Sequence, residues 1–170
     1  MGSDLGPSRG KHVSFWGDRP DDLGLIEAHL RPCPESPNCV SSQSPDIAHQ
    51  IAPLRFEGSP RMAMQALKHV IDDSERAEVI KADDHYLYAE FTSRLMGFVD
   101  DVEFYLDEAA KHIEVRSASR LGESDLGVNR KRIEQLRQAF EALLGNGASW
   151  STAVGPGALA AAAAHGFQGV

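Results

Sequence analysis

The sequence predicts an α+β domain in two layers: a four-stranded antiparallel meander flanked by an N-terminal and a C-terminal helix, in the order α-β-β-β-β-α. Three observations predict it. Two stretches carry apolar residues at helical spacing, four short runs between them have the length and turn-flanked character of strands, and the links joining those runs are too short for crossovers. Two amphipathic helices then need one sheet face to cover them.

The first helix is read from "GSPRMAMQALKHVIDDS", where Ser59 stands as N-cap and Pro60 takes the first helical position. Ala63, Ala66, Leu67, Val70 and Ile71 then form one apolar stripe. The runs "AEVIKAD", "HYLYAEFTS", "GFVDDVEFYLD" and "KHIEVRSAS" follow as strands, separated by an Asp-Asp pair, by Arg94 to Gly97 and by Glu-Ala-Ala. In the third, Val102, Phe104 and Leu106 point to one face and Asp101, Glu103 and Tyr105 to the other. The last helix, "GVNRKRIEQLRQAFEALLGN", gathers Ile133, Leu136, Phe140, Leu143 and Leu144 on one side and stops at Gly145, with Ser124 or Asp125 as its cap.

A chain of 170 residues holds one such domain, expected over residues 30–145. Residues 1–29 are rich in Gly, Pro and Asp and read as a flexible arm in which Phe15 and Trp16 could dock, and residues 146–170 read as a Gly/Ala-rich flexible tail. The opening "MGSDLGPSRGKH" has no apolar core of a secretory signal and no Ser or Thr at position 6 for myristoylation. No run approaches the roughly 20 apolar residues of a membrane span, so a chain soluble as given is expected.

Net charge is -8, which excludes a general nucleic-acid binder, because phosphate binding needs a basic surface. Charge is unevenly spread, however. From Arg116 to Arg137 six Lys or Arg stand against three carboxylates, Glu123, Asp125 and Glu134. Within this stretch Arg116 ends a strand, Ser117 and Ser119 flank it, Arg120 precedes a turn, and Asn129, Arg130 and Arg132 occupy the first turns of the last helix. Free N–H groups and the dipole at a helix start favour an anion there, and cations are unfavourable unless something negative offsets them. Arg116, Ser117, Ser119, Arg120, Asn129, Arg130 and Arg132 are therefore a candidate anion site. The competing reading is an internal network in which Asp100, Asp101, Glu123 and Asp125 neutralise these arginines.

Adjacent carboxylates at Asp100 and Asp101 suggest acid–base chemistry, but neighbours on a strand point to opposite faces, so only one can enter a given pocket. Pairing of one of them with an arginine of the next motif is the alternative. Seven histidines are scattered without a sequence-evident orienting partner, and His85 and His112 read as surface residues. Neither a Walker glycine pattern nor a Gly-X-Ser-X-Gly elbow is present.

The stretch "RPCPESPNCVSSQSP" holds both cysteines, with five residues between them and prolines that limit the loop's conformations. A structural disulfide between Cys33 and Cys39 is favoured, worth about 2.4 kcal/mol in the chain-entropy model, and it requires an oxidising compartment. Two reduced thiols remain an alternative. Metal binding with His29 and His49, or redox chemistry, fits the spacing poorly.

The segments "CPESPNCVSSQ", "FTSRLMGFVDDVEF" and "VRSASRLGESDLGVNRKRIEQLR", with "HQIAPLRF" after the first, stand in the order of the signatures of the domain of unknown function 1499 family. The chain resembles that family from Leu30 to Leu144. The resemblance implies a small protein of bacteria, cyanobacteria or plastids, whose relatives often carry an export, lipoprotein or anchoring segment. It carries no established activity, and an envelope or plastid location is implied by the resemblance alone. At Glu123 this sequence departs from relatives, which commonly have an aromatic there.

Three functions follow as expectations. The first is a non-catalytic binding or accessory domain, with an envelope association implied by the resemblance alone, that holds a small anion, a lipid headgroup or an acidic protein partner. The second is an enzyme acting on a phosphorylated or carboxylated substrate, with Asp100 or Asp101 as general base. The third is a structural protein with an internal Arg–carboxylate network. No cofactor and no metal are expected.

Overall fold

A computed structural model describes residues 17–94, 97–122 and 124–145. Phe15, Trp16, Glu123 and the 146–170 tail, all singled out above, lie outside the described residues. The chain forms β1 (Cys39–Ser41), β2 (Leu54–Arg55), α1 (Pro60–Asp72), β3 (Ala77–Ala82), β4 (Tyr86–Thr92), β5 (Val99–Asp107), β6 (His112–Ser119) and α2 (Val128–Gly145).

The fold is α+β and antiparallel, as expected, but the sheet has six strands rather than four. The meander β3-β4-β5-β6 is extended by β1 and β2, which precede α1 and both pair antiparallel with the outer edge of β6. The order is therefore β-β-α-β-β-β-β-α. These two strands have three and two residues, too few to show alternation. Their ladder partners on β6 lie more than fifty positions away, so no neighbouring run announces that pairing. They also cover an edge of the sheet that would otherwise be free to pair with another chain.

Helix α1 begins as its sequence dictates: Ser59 is extended (φ -78°, ψ 125°), its hydroxyl accepts the N–H of Met62, and Pro60 follows. Its buried face is Ala63, Met64, Ala66, Leu67, Val70 and Ile71. Helix α2 buries Ile133, Leu136, Phe140 and Leu143, while Leu144 is half-buried. Both helices pack on one face of the sheet, against Leu87, Ala89 and Phe91 of β4, Val102, Phe104 and Leu106 of β5, and Ile113 and Val115 of β6. That layer is the main core.

The second face of the sheet is not left to water. Residues 17–30 lie across it, with Leu23 and Leu30 against Tyr86, Tyr88, Ile80 and Tyr105. Gly24 sits at φ 124°, a conformation essentially closed to residues with a Cβ, and this aims its N–H at Glu103 Oε1, 2.8 Å away. Glu103 and Asp101, predicted to point away from the helices, do so but are as buried as the core, at 0% and 2% exposure. Among the described residues no helix is long and apolar enough to cross a membrane.

Candidate functional site

Because side chains alternate along a strand, β6 divides the basic motif between two faces. Arg116 and, just beyond the strand, Arg120 fall on the face crossed by residues 17–30. Ser117 and Ser119 fall on the helix face with Asn129 and Arg132. Six of the seven candidate anion ligands thus fall into two separate clusters with a sheet between them.

On the first face Arg120 clamps Asp101 with two parallel bonds, Nε to Oδ2 at 2.9 Å and Nη2 to Oδ1 at 2.7 Å. Its Nη2 also donates to Glu90, which accepts a further bond from Arg19. The Tyr88 hydroxyl lies between Asp101 Oδ1 at 2.5 Å and Glu90 Oε1 at 2.9 Å. Burial acts to lower the Arg120 pKa, and its bonds to Asp101 and Glu90 outweigh that, raising it. For Glu90, burial acts to raise the pKa, while bonds from Arg19, Arg120 and Tyr88 bring it below the usual glutamate value. Burial, reinforced by the neighbouring carboxylates, pushes both Tyr86 and Tyr88 far above the usual phenol range. Neither tyrosine ionises at physiological pH.

A depressed Glu90 gives a pH prediction with a definite sign. The unfolded chain takes up the Glu90 proton first as pH falls, so the stabilisation is full above about pH 4.3, the unfolded glutamate value, and is lost below it. Glu90→Gln is expected to flatten the fall in urea-unfolding free energy between about pH 5 and pH 3. Parallel curves for the two proteins would show that Glu90 does not carry this linkage.

Arg116 is held differently. It is 4% exposed, meets Glu103 Oε2 at 3.5 Å, and its Nε is buried with no hydrogen-bond partner among the described residues. Burial lowers its pKa, Glu103 offsets part of this, and Arg31 adds to the lowering. Glu103 in turn accepts the Tyr86 hydroxyl at 2.7 Å.

The second cluster is centred on Asn129, which is fully buried. Its Oδ1 accepts from Ser117 Oγ at 2.5 Å and Arg132 Nη1 at 2.8 Å, and its Nδ2 donates to Asn38 O, Ser119 Oγ and Asp125 Oδ2. Arg132 pairs with Asp100 through Nη2 and lies over the Phe91 ring, 5.1 Å from its centroid. Asp125 takes the N–H groups of Gly127 and Asn129, both at 2.9 Å. Burial acts to raise the Asp125 pKa, and these bonds outweigh it and lower it. For Arg132, the negative partner that a cation near a helix start requires is therefore supplied from within the chain by Asp100.

Arg130 reaches neither cluster: it donates to the carbonyls of Gln50 at 2.8 Å and Ala48 at 3.1 Å. Arg137 does the same with Pro53 and Ala52, both at 2.6 Å. Together they pin α2 to the segment between β1 and β2. Cys33 and Cys39 form the disulfide their spacing favours, with Cα atoms 5.7 Å apart, so neither thiol is free to ligate a metal. His29 is exposed and His49 buried, each bonded to a backbone carbonyl. His85 is exposed beside Glu108, whereas His112, expected at the surface, is half-buried beside Glu114.

The family model described as protein of unknown function (DUF1499) matches residues 29–140, about two thirds of the chain. The chain belongs to the DUF1499 family. No curated protein matches it. Both clusters of this DUF1499 domain lie within the matched residues, except for Arg19 and Gly24 on the covering segment.

A groove of about 930 Å³ lies where the C-terminal end of α1, the end of β4 and the start of α2 meet. Its floor includes the buried Val70, Phe91 and Leu136, and its rim the exposed Arg76, Arg94 and Lys131. Arg132 lines it as well. Arg76 is 3.4 Å from Glu75 and donates to Thr92 O. The side chains of Arg94 and Lys131 have no ion-pair or hydrogen-bond partner among the described residues.

Sequence reasoning missed Arg94 and Lys131 because no local pattern says that the turn after β4 and the start of α2 border one groove. It also missed Glu90, Glu103, Tyr86 and Tyr88. A signal for those was present: Tyr86, Tyr88 and Glu90 on one strand and Asp101, Glu103 and Tyr105 on the next are matching period-two faces.

Proposed function

We propose that this domain is a non-catalytic binding or accessory module that takes an anionic group in the groove between α1, β4 and α2. The observation that carries this is a pair of cations, Arg94 and Lys131, without a side-chain partner among the described residues, at the rim of a groove in a chain of net charge -8. Of the basic motif's candidate ligands, Arg132 alone lines this groove. Arg116, Ser117, Ser119, Arg120, Asn129 and Arg130 support it from behind, by fixing β6 and α2. A disulfide supports work in an oxidising compartment, such as a cell envelope.

The internal pairing favours an added structural role for the motif over the enzyme reading. Asp100 is engaged by Arg132, and Asp101 by Arg120 and Tyr88. Either carboxylate would have to break an ion pair before accepting a substrate proton.

The test is a thermal-shift titration with inorganic phosphate and sulfate at fixed ionic strength, on the wild type, Arg94→Ala and Lys131→Glu. A saturable rise in Tm is expected for the wild type. Both variants should match its Tm without added anion and show little of the rise. Equal rises in all three proteins, or none in any, would refute the reading.

A further inference from the structure

The groove is larger than an inorganic anion needs, and its walls differ along its length. At about 930 Å³ it is at the upper end of the roughly 300–1,000 Å³ spanned by small-molecule sites. Lys131 and Arg132 stand where the first turn of α2 passes into the second, and Leu136 and Ala139 lie one to two turns further along the same helix. At about 1.5 Å per residue, the span from Lys131 to Ala139 is roughly 12 Å. Over that distance the α2 side of the lining changes from Lys131, which has no side-chain partner among the described residues, and the Asp100-paired Arg132 to the aliphatic Leu136 and Ala139, and Val70 of α1 lines the same groove. Of the carboxylates of the lining, Glu75 lies 3.4 Å from Arg76, and Asp73 is 3.8 Å from His69.

Taken with the anion-binding reading on which it rests, this change of character identifies an occupant. We infer that the groove takes a single-chain amphiphile, an alkyl chain ending in a carboxylate, phosphate or sulfate. Arg94 and Lys131 meet the charged end, and the chain lies over Leu136, Ala139 and Val70. Charge complementarity selects the head, because Arg94 and Lys131 have no side-chain partner among the described residues while the whole chain is acidic. Burial of methylenes supplies affinity that an inorganic anion, exposed on a half-open rim, would lack.

The experiment is a calorimetric titration of the full chain with straight-chain alkyl carboxylates and alkyl phosphates of increasing length, each below its critical micelle concentration, beside inorganic phosphate. Affinity is expected to rise roughly fourfold per methylene, the equivalent of about 0.8 kcal/mol, and then level off when the floor is filled. Ala139→Phe should remove the dependence on chain length while leaving inorganic phosphate binding unchanged. Gln135→Phe, at an exposed position of the same lining, serves if Ala139→Phe does not fold. Equal affinity for short and long chains would overturn the amphiphile and leave the anion site standing. Binding to anionic phospholipid vesicles but to none of the monomeric series would overturn it in favour of a membrane surface. No binding of any anion would remove both inferences together.

Discussion

Arg120→Ala is expected to lower the free energy of unfolding by about 3–5 kcal/mol, the range for breaking a buried pair by removing one partner. The side chains of Arg120 and Asp101 are 7% and 3% exposed, so the Asp101 carboxylate loses its buried guanidinium partner. Asp101 would be left facing Glu90 across the Tyr88 hydroxyl, with Arg19 as the remaining cation of the cluster. Arg120→Lys should recover only a minor part, since an ammonium cannot reproduce the two parallel bonds to Asp101 and still reach Glu90. Asp101→Asn placed in the Arg120→Ala background should be less costly than the single changes added together. Urea unfolding measures all of these. A loss within about 0.5 kcal/mol of wild type, the range of an ordinary surface substitution, would mean that the cluster is far less desolvated than its geometry implies.

Asn129→Ala should be comparably costly, again about 3–5 kcal/mol, for a different reason. No charge is stranded at the first instance. The change leaves the O–H of the fully buried Ser117 without its acceptor and takes a bond each from Asp125, Ser119 and the Asn38 carbonyl, which keeps the Ser119 N–H, while Arg132 Nη1 keeps only the longer bond to Ser117 Oγ at 3.3 Å. The orphaned donor costs about 1–3 kcal/mol, and the other lost bonds and the space vacated add to that. Asn129→Asp separates shape from hydrogen bonding: it keeps the volume, but exchanges the two amide donors for an acceptor facing Asp125 and the Asn38 carbonyl. It should therefore also destabilise, despite the nearby Arg132. If both variants unfold within about 1 kcal/mol of wild type, β6, α2 and the disulfide loop are not joined through this residue.

How far the sequence anticipates this structure depends on the range of the interaction involved. Helix α1 is legible because its signals are local: Ser59 caps it, Pro60 starts it, and its stripe returns every third or fourth residue. Strands β3 to β6 are legible because tight links tie each to the next. The disulfide is legible because two cysteines share one short, proline-stiffened loop. β1 and β2 are not, since Val40 pairs with Ser117 and Leu54 with Ile113. The candidate site fails differently. Reading Arg116 to Arg132 as one patch treats a strand as if all its side chains shared a direction. Applying to "RSASR" the alternation already applied to Asp100 and Asp101 divides it correctly between two faces. What no such rule reaches is the approach of Arg94, after β4, to Lys131 on α2.

The pairing of β1 and β2 with β6 also bears on the order in which a growing chain can acquire its structure. Cys39 to Arg55 leave the ribosome well before His112 to Ser119, so the first strands made are the last to find a neighbour. The covering segment at residues 17–30 waits as well, because the face it lies on contains β4 and β5. Contacts so distant in sequence carry a loop-closure cost and slow folding. The meander and its two helices can assemble from neighbours in sequence, and the N-terminal third then closes over a sheet already made. Until it does, Tyr86, Tyr88 and the carboxylates between them face water, and one edge of β6 is open to any chaperone or strand that arrives first.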